Sequence, residues 1–126
     1  MKLLLDSHAF LWWLADDPKL AKAAREALAA PSSIVHVSAA TVWELAIKAR
    51  RGKLDLGDAN LVQEIEESDF VELPMTARHA LLAGSLPPHH EDPFDRMLIA
   101  QAKAEDLTVV TRDSVFRDYG VAILPT

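Results

Sequence analysis

The chain contains no cysteine. That excludes a disulfide framework and thiolate metal sites, and it suits a reducing compartment. Long apolar runs are missing as well. In the opening MKLLLD, Asp6 interrupts the leucines after three residues, so no signal peptide is read there. The run AFLWWLA is far too short to span a bilayer. The expectation is a cytoplasmic protein without a membrane partner. Positive charge is scarce too: thirteen basic residues face nineteen acidic ones, for a net charge of −6. Taken alone, this argues against a nucleic-acid partner, because phosphate binding usually needs a positive surface. Repeats, low-complexity tracts and long linkers are absent, so residues 1–126 read as one domain.

What is present suits an ordinary globule, with half the residues hydrophobic and a quarter charged. Short apolar runs recur at wide spacing: 3–5, 34–37, 70–73, 109–110 and 121–124. Continuous runs of this length fit strands buried on both faces. Helical patterns lie between them. One opens at Asp17-Pro18, and others cover 40–51, 59–68, 76–84 and 93–105. This alternation predicts an α/β fold in three layers, a central mainly parallel sheet of about five short strands flanked by helices. Ligands in such sheets bind beyond the carboxyl ends of the strands.

Two acids fall at those ends. Asp6 directly follows the first strand and Asp113 lies just past the fourth. Each has a plain local role open to it, Asp6 as a helix cap and Asp113 as a turn residue. Within HHEDPFDRMLIAQA, Asp92 before Pro93 is a strong helix start that capping explains, with a supporting site role left open beside it. Asp95 differs, because the helical wheel puts it on the core side between Ala102 and Ile99. A buried carboxylate needs a partner such as a metal ion; the alternative is a capping-box acid bonding back to Asp92. In TVWELAIKARRG the periodicity puts Trp43 on the apolar face and Glu44 on the polar side, where Lys48 offers an i,i+4 ion pair.

The segments LLLDSHAFLWWL, SAATVWELAIKARRGKL, HHEDPFDRMLIAQA and VVTRD, in that order, resemble the signature segments of PIN-domain proteins. They are most similar to the VapC-type toxins of toxin–antitoxin pairs. The resemblance covers nearly the whole chain, and DPFDRMLIAQA is its most specific part. It implies a metal-dependent endoribonuclease whose acids, residue by residue, are Asp6, Glu44, Asp95 and Asp113. It alone moves Glu44 from surface ion pair to site. It also implies a homodimer and a cognate antitoxin. Asp-Ser-His stands here where a Thr is common in the family, and the swap keeps a hydroxyl.

On this reading the acids hold Mg²⁺ or Mn²⁺, hard cations that prefer oxygen. Asp6 and Asp95 would be the core ligands. Glu44 and Asp113 would complete the pocket, with Ser7 or Thr111 assisting through a hydroxyl. Divalent ions cancel the local negative charge, which softens the objection to an RNA substrate. Lys48, Arg50, Arg51, Lys53, Arg96 and Arg112 remain for the RNA backbone, although KARRGK also reads as a helix C-terminus. His8, His89 and His90 near the acids raise a zinc hydrolase, but no HExxH motif supports it, and a His pair there reads as solvated loop. His36 reads as core and His79 as helix surface. The other classes open to the chain are an inactive PIN-like binding module and a receiver domain. The receiver wants adjacent acids after the first strand and a late Lys after the fifth, and neither is here.

Overall fold

The computed structural model describes residues 1–126. Five strands form one parallel sheet: β1 (Lys2–Leu5), β2 (Ile34–Ser38), β3 (Val71–Leu73), β4 (Thr108–Thr111) and β5 (Ile123–Pro125), in the order β3-β2-β1-β4-β5. Six α-helices connect and cover them: α1 (Ser7–Leu14), α2 (Lys22–Ala29), α3 (Ala39–Arg50), α4 (Leu61–Glu67), α5 (Ala77–Ser85) and α6 (Pro93–Glu105). A 3-10 helix over Ser114–Tyr119 links β4 to β5. All five strands expected from the sequence are present, and the central ones are continuously apolar because both of their faces are covered.

The pleat of β1 divides the core in two. Leu3 and Leu5 join Phe10, Leu20, Leu28, Val37, Leu45 and Ile65 on one face of the sheet. Leu4 points the other way and packs with Leu98, Ile99, Val109 and Phe116. Residues Leu3, Leu4 and Leu5 are wholly buried. The three-layer expectation is met through this alternation.

Several local readings are corrected. Asp17-Pro18 does not open a helix. Asp17 Oδ1 accepts from Lys19 N–H at 2.9 Å in a turn, and α2 begins at Lys22 after an N-cap, Ala21, that makes no side-chain bond. His79 is not on a helix surface. It is buried at the start of α5, where it completes a capping box with Thr76, and its Nε2 lies 3.0 Å from Glu105 Oε1. Trp43 and Glu44 exchange places relative to the periodicity: Trp43 is 58% exposed, whereas Glu44 is buried. Helix α3 leans on α6 as well as on the sheet, so its buried face is turned from the one a two-layer wheel predicts. The 3-10 helix had no counterpart in the apolar pattern.

Candidate active site

Parallel strands bring their carboxyl ends together, and the acids sit at those ends or on the helices beside them. Asp6 ends β1. Its backbone N–H still donates to Val110 O of β4 at 3.2 Å, so the ladder holds the residue. Its side chain caps α1, with Oδ1 accepting from Ala9 N–H at 2.8 Å. Oδ2 accepts the Thr111 hydroxyl at 2.6 Å. Burial pushes the Asp6 carboxyl above the ordinary Asp range, against the lowering effect of those two bonds. The cap reading and the site reading of Asp6 therefore hold together.

Asp113 follows β4 and starts the 3-10 helix, accepting from Val115 N–H through Oδ1 at 3.0 Å. Its own N–H donates to Thr111 Oγ1 at 3.0 Å, so Thr111 braces two acids at once. On α6, Asp92 caps the helix through Oδ1, accepting from Phe94 N–H and Asp95 N–H. Asp95 does not return a capping-box bond, because the Asp92 N–H is taken by His90 Nδ1 at 3.2 Å. The Asp95 side chain is thus free to face the strand ends. Its carboxyl is pushed up to about 7, first by burial and then by the neighbouring Asp92, while His90 pulls the other way.

Glu44 reaches the same place from α3. Oε2 forms the expected ion pair with Lys48 at 2.8 Å. Oε1 is buried with no hydrogen-bond partner. A buried carboxylate oxygen without a partner is costly, and here it sits among other acids. Asp6, Ser7, Glu44, Asp92, Asp95 and Asp113, with His8, Lys48 and Arg112, line one cavity of about 300 Å³ that has no hydrophobic wall. A hollow of about 520 Å³ beside Trp13 and Pro31 is larger, but Asp69 is the one acid in its lining. Chemistry rather than size singles out the acidic one.

The donors fit a hard divalent cation. They are carboxylate oxygens from four separate elements, repelling one another and leaving one buried oxygen unsatisfied. Nothing in the lining offers the several imidazoles of a zinc site. Besides His8 in the lining, His90 approaches: the ligand atoms of His90, Asp95 and Asp113 lie within 4.8 Å of one another. The sequence put His90 in a solvated loop, and that is corrected. Only its place just before a capped helix start, at the carboxyl ends of the strands, could have flagged it.

Residues 3–122 match the family described as the PIN domain. The chain belongs to the PIN-domain family. This PIN domain is 30% identical over 119 residues to Ribonuclease VapC22 of Mycobacterium tuberculosis, covering 93% of this chain and 91% of that protein. Its fold is similar to a chain of the DNA-bound VapBC complex of Salmonella typhimurium, with a TM-score of 0.75 at 24% identity, covering 99% and 98% of the two chains. It is also similar to VapBC2 of Rickettsia felis bound to a promoter DNA fragment, with a TM-score of 0.74 at 18% identity and the same coverage.

The basic residues divide. Lys48 and Arg112 line the cavity, while Arg50, Arg51 and Lys53 stand exposed at the end of α3. Arg112 also stacks over Trp12, 4.5 Å from the ring centroid. Arg96 is removed from the RNA-facing set. Its guanidinium donates to four backbone carbonyls, of Ala83, Leu86, Pro87 and His90, at 2.8 to 3.2 Å. Its charge is thereby committed to shaping the loop between α5 and α6.

Proposed function

We propose that this PIN domain, a single domain over residues 1–126, is an endoribonuclease that hydrolyses RNA phosphodiester bonds with Mg²⁺ or Mn²⁺, and that it is the toxin of a toxin–antitoxin pair. The observation that carries the reading is the convergence of Asp6, Glu44, Asp95 and Asp113 on one cavity without a hydrophobic wall. The similarity to a protein named as a ribonuclease supports the reaction class. The likeness to VapBC assemblies supports an antitoxin partner. A homodimer in the cytoplasm belongs to the same proposal. No helix is long and apolar enough to cross a membrane.

Asp6 and Asp95 would hold the ion, with Glu44 and Asp113 completing the donor set. A bound divalent ion supplies an activated water and neutralises charge developing on the phosphoryl group. The chain's own part is orientation. Thr111 fixes the Asp6 carboxylate, and Lys48 fixes one oxygen of Glu44 while the other stays buried without a partner. Ser7 adds a hydroxyl to the wall. Lys48 and Arg112, with Arg50, Arg51 and Lys53 further out, face the RNA backbone.

The test is cleavage of structured and single-stranded RNA by wild type and Asp95→Asn, with Mg²⁺, Mn²⁺ or EDTA. Cleavage should vanish on both mutation and chelation. Equal cleavage by the two proteins, or cleavage that survives EDTA, overturns the proposal.

A further inference from the structure

His90 is held more completely than a loop histidine needs to be. Its backbone N–H donates to Tyr119 Oη at 2.8 Å, and its carbonyl accepts from Arg96 at 3.2 Å. Tyr119 in turn donates to Pro87 O at 2.7 Å, and Arg96 takes three further carbonyls of the segment. The ring is fixed at both nitrogens. Nδ1 accepts the Asp92 N–H at 3.2 Å, and Nε2 lies 3.1 Å from Asp113 Oδ2 and 3.0 Å from Asp95 Oδ2. The edge of the ring meets Phe116, with centroids 6.4 Å apart.

These contacts settle which nitrogen carries the proton. A nitrogen that accepts a backbone N–H bears no hydrogen, so the ring is the Nε2–H tautomer. Nε2 therefore donates to Asp113 with Asp95 alongside, and it has no lone pair to give a cation. The three groups lie close enough to suggest a mixed nitrogen and oxygen ligand set, but the tautomer argues against it. We infer that His90 is a positioning residue: its Nε2–H ties Asp113, just past β4, to Asp95, on α6, and so restrains the two carboxylates proposed as ligands relative to one another. This rests on the proposed metal site and adds a residue to it. Asp113 needs such a tie, because its side chain is the more exposed of the two and its other oxygen is anchored only within its own turn. Groups that orient carboxylate ligands commonly contribute about 10- to 100-fold to metal affinity.

Mn²⁺ affinity measured by calorimetry on wild type, His90→Leu, His90→Gln and Asp95→Asn tests this, with circular dichroism reporting the fold of each. His90→Leu should weaken Mn²⁺ binding about tenfold or more while keeping the fold. His90→Gln, whose amide N–H can donate to Asp113 from nearly the same position, should recover most of the loss; a purely steric role for the ring would give no such rescue. Two-bond ¹⁵N–¹H correlation on the metal-free wild type should show the Nε2–H tautomer. Undiminished affinity in His90→Leu beside lost affinity in Asp95→Asn overturns the role of His90 and leaves the metal site standing. An Nδ1–H tautomer likewise overturns it. If His90→Leu fails to fold, His90→Gln and the tautomer decide. A wild type that binds no Mn²⁺ overturns the metal site, and this inference with it.

Discussion

Asp6 is both buried and charged by role, and Thr111 makes that tolerable. The Thr111 hydroxyl is fully buried and bonds Oδ2 at 2.6 Å. Thr111→Val keeps the shape and removes the donor, so urea denaturation should show a loss of about 1–3 kcal/mol. A loss within error would mean Asp6 holds its position without that bond. Asp95 gives a pH prediction with a definite sign. Its carboxyl is pushed up to about 7, whereas an Asp in the unfolded chain titrates near 3.9. Between about pH 4 and about pH 7 the folded protein keeps a proton that the unfolded chain has released. This group's contribution to stability is complete below about pH 4 and lost as pH rises through about 7. A cation must displace that proton, so Mn²⁺ affinity should climb with pH and level off above about 7. A flat calorimetric titration between about pH 5.5 and about pH 8 would contradict this. The sequence made Asp6, Asp95 and Asp113 visible because a strand end or a helical wheel fixes where such residues go. Glu44 was hidden because the spacing shows only the ion pair made by one oxygen, while the burial of the other, without a partner, comes from the fold.

At the scale of elements, the segment between α5 and α6 is organised by a single guanidinium. Arg96→Ala removes donors from four carbonyls and should cost at least about 2 kcal/mol. Arg96→Lys should restore little of it, because one ammonium cannot reach four acceptors spread over Ala83 to His90. Hydrogen exchange of the His90 and Asp92 amides should speed up in both variants; unchanged protection would show that Tyr119 holds the loop by itself. Arg96 looked like a solvent-facing cation because a helical wheel reports direction and not partners. Trp43 and His79 were misread for the same reason. Each lies on a helix that packs against α6, and a helix–helix contact of that kind leaves no period in the sequence. The central strands carried their own signature, since burial on both faces makes β1 and the middle of β4 continuously apolar.

For the whole molecule, clustered acids within a chain of net charge −6 set the stability against the site. A cation that binds only the folded form relieves this. At about 100 times its dissociation constant it adds about 2.7 kcal/mol. For a domain of this size that raises the melting temperature by roughly 10 °C. Asp95→Asn should lose most of that gain and melt no lower than wild type without metal, because it removes one repelling charge. An equal metal-induced rise in the two proteins, seen by calorimetric melting, would place the ion elsewhere. The order of the strands has another consequence. Asp6 and Thr111 touch although 105 positions separate them in the chain. A ribosome completes β1 long before it makes β4, and the central strand must wait for that neighbour. A nascent chain would therefore carry its first acids as isolated side chains with nothing to hold them in register. The acidic cavity therefore cannot be assembled until the chain has been made at least as far as β4.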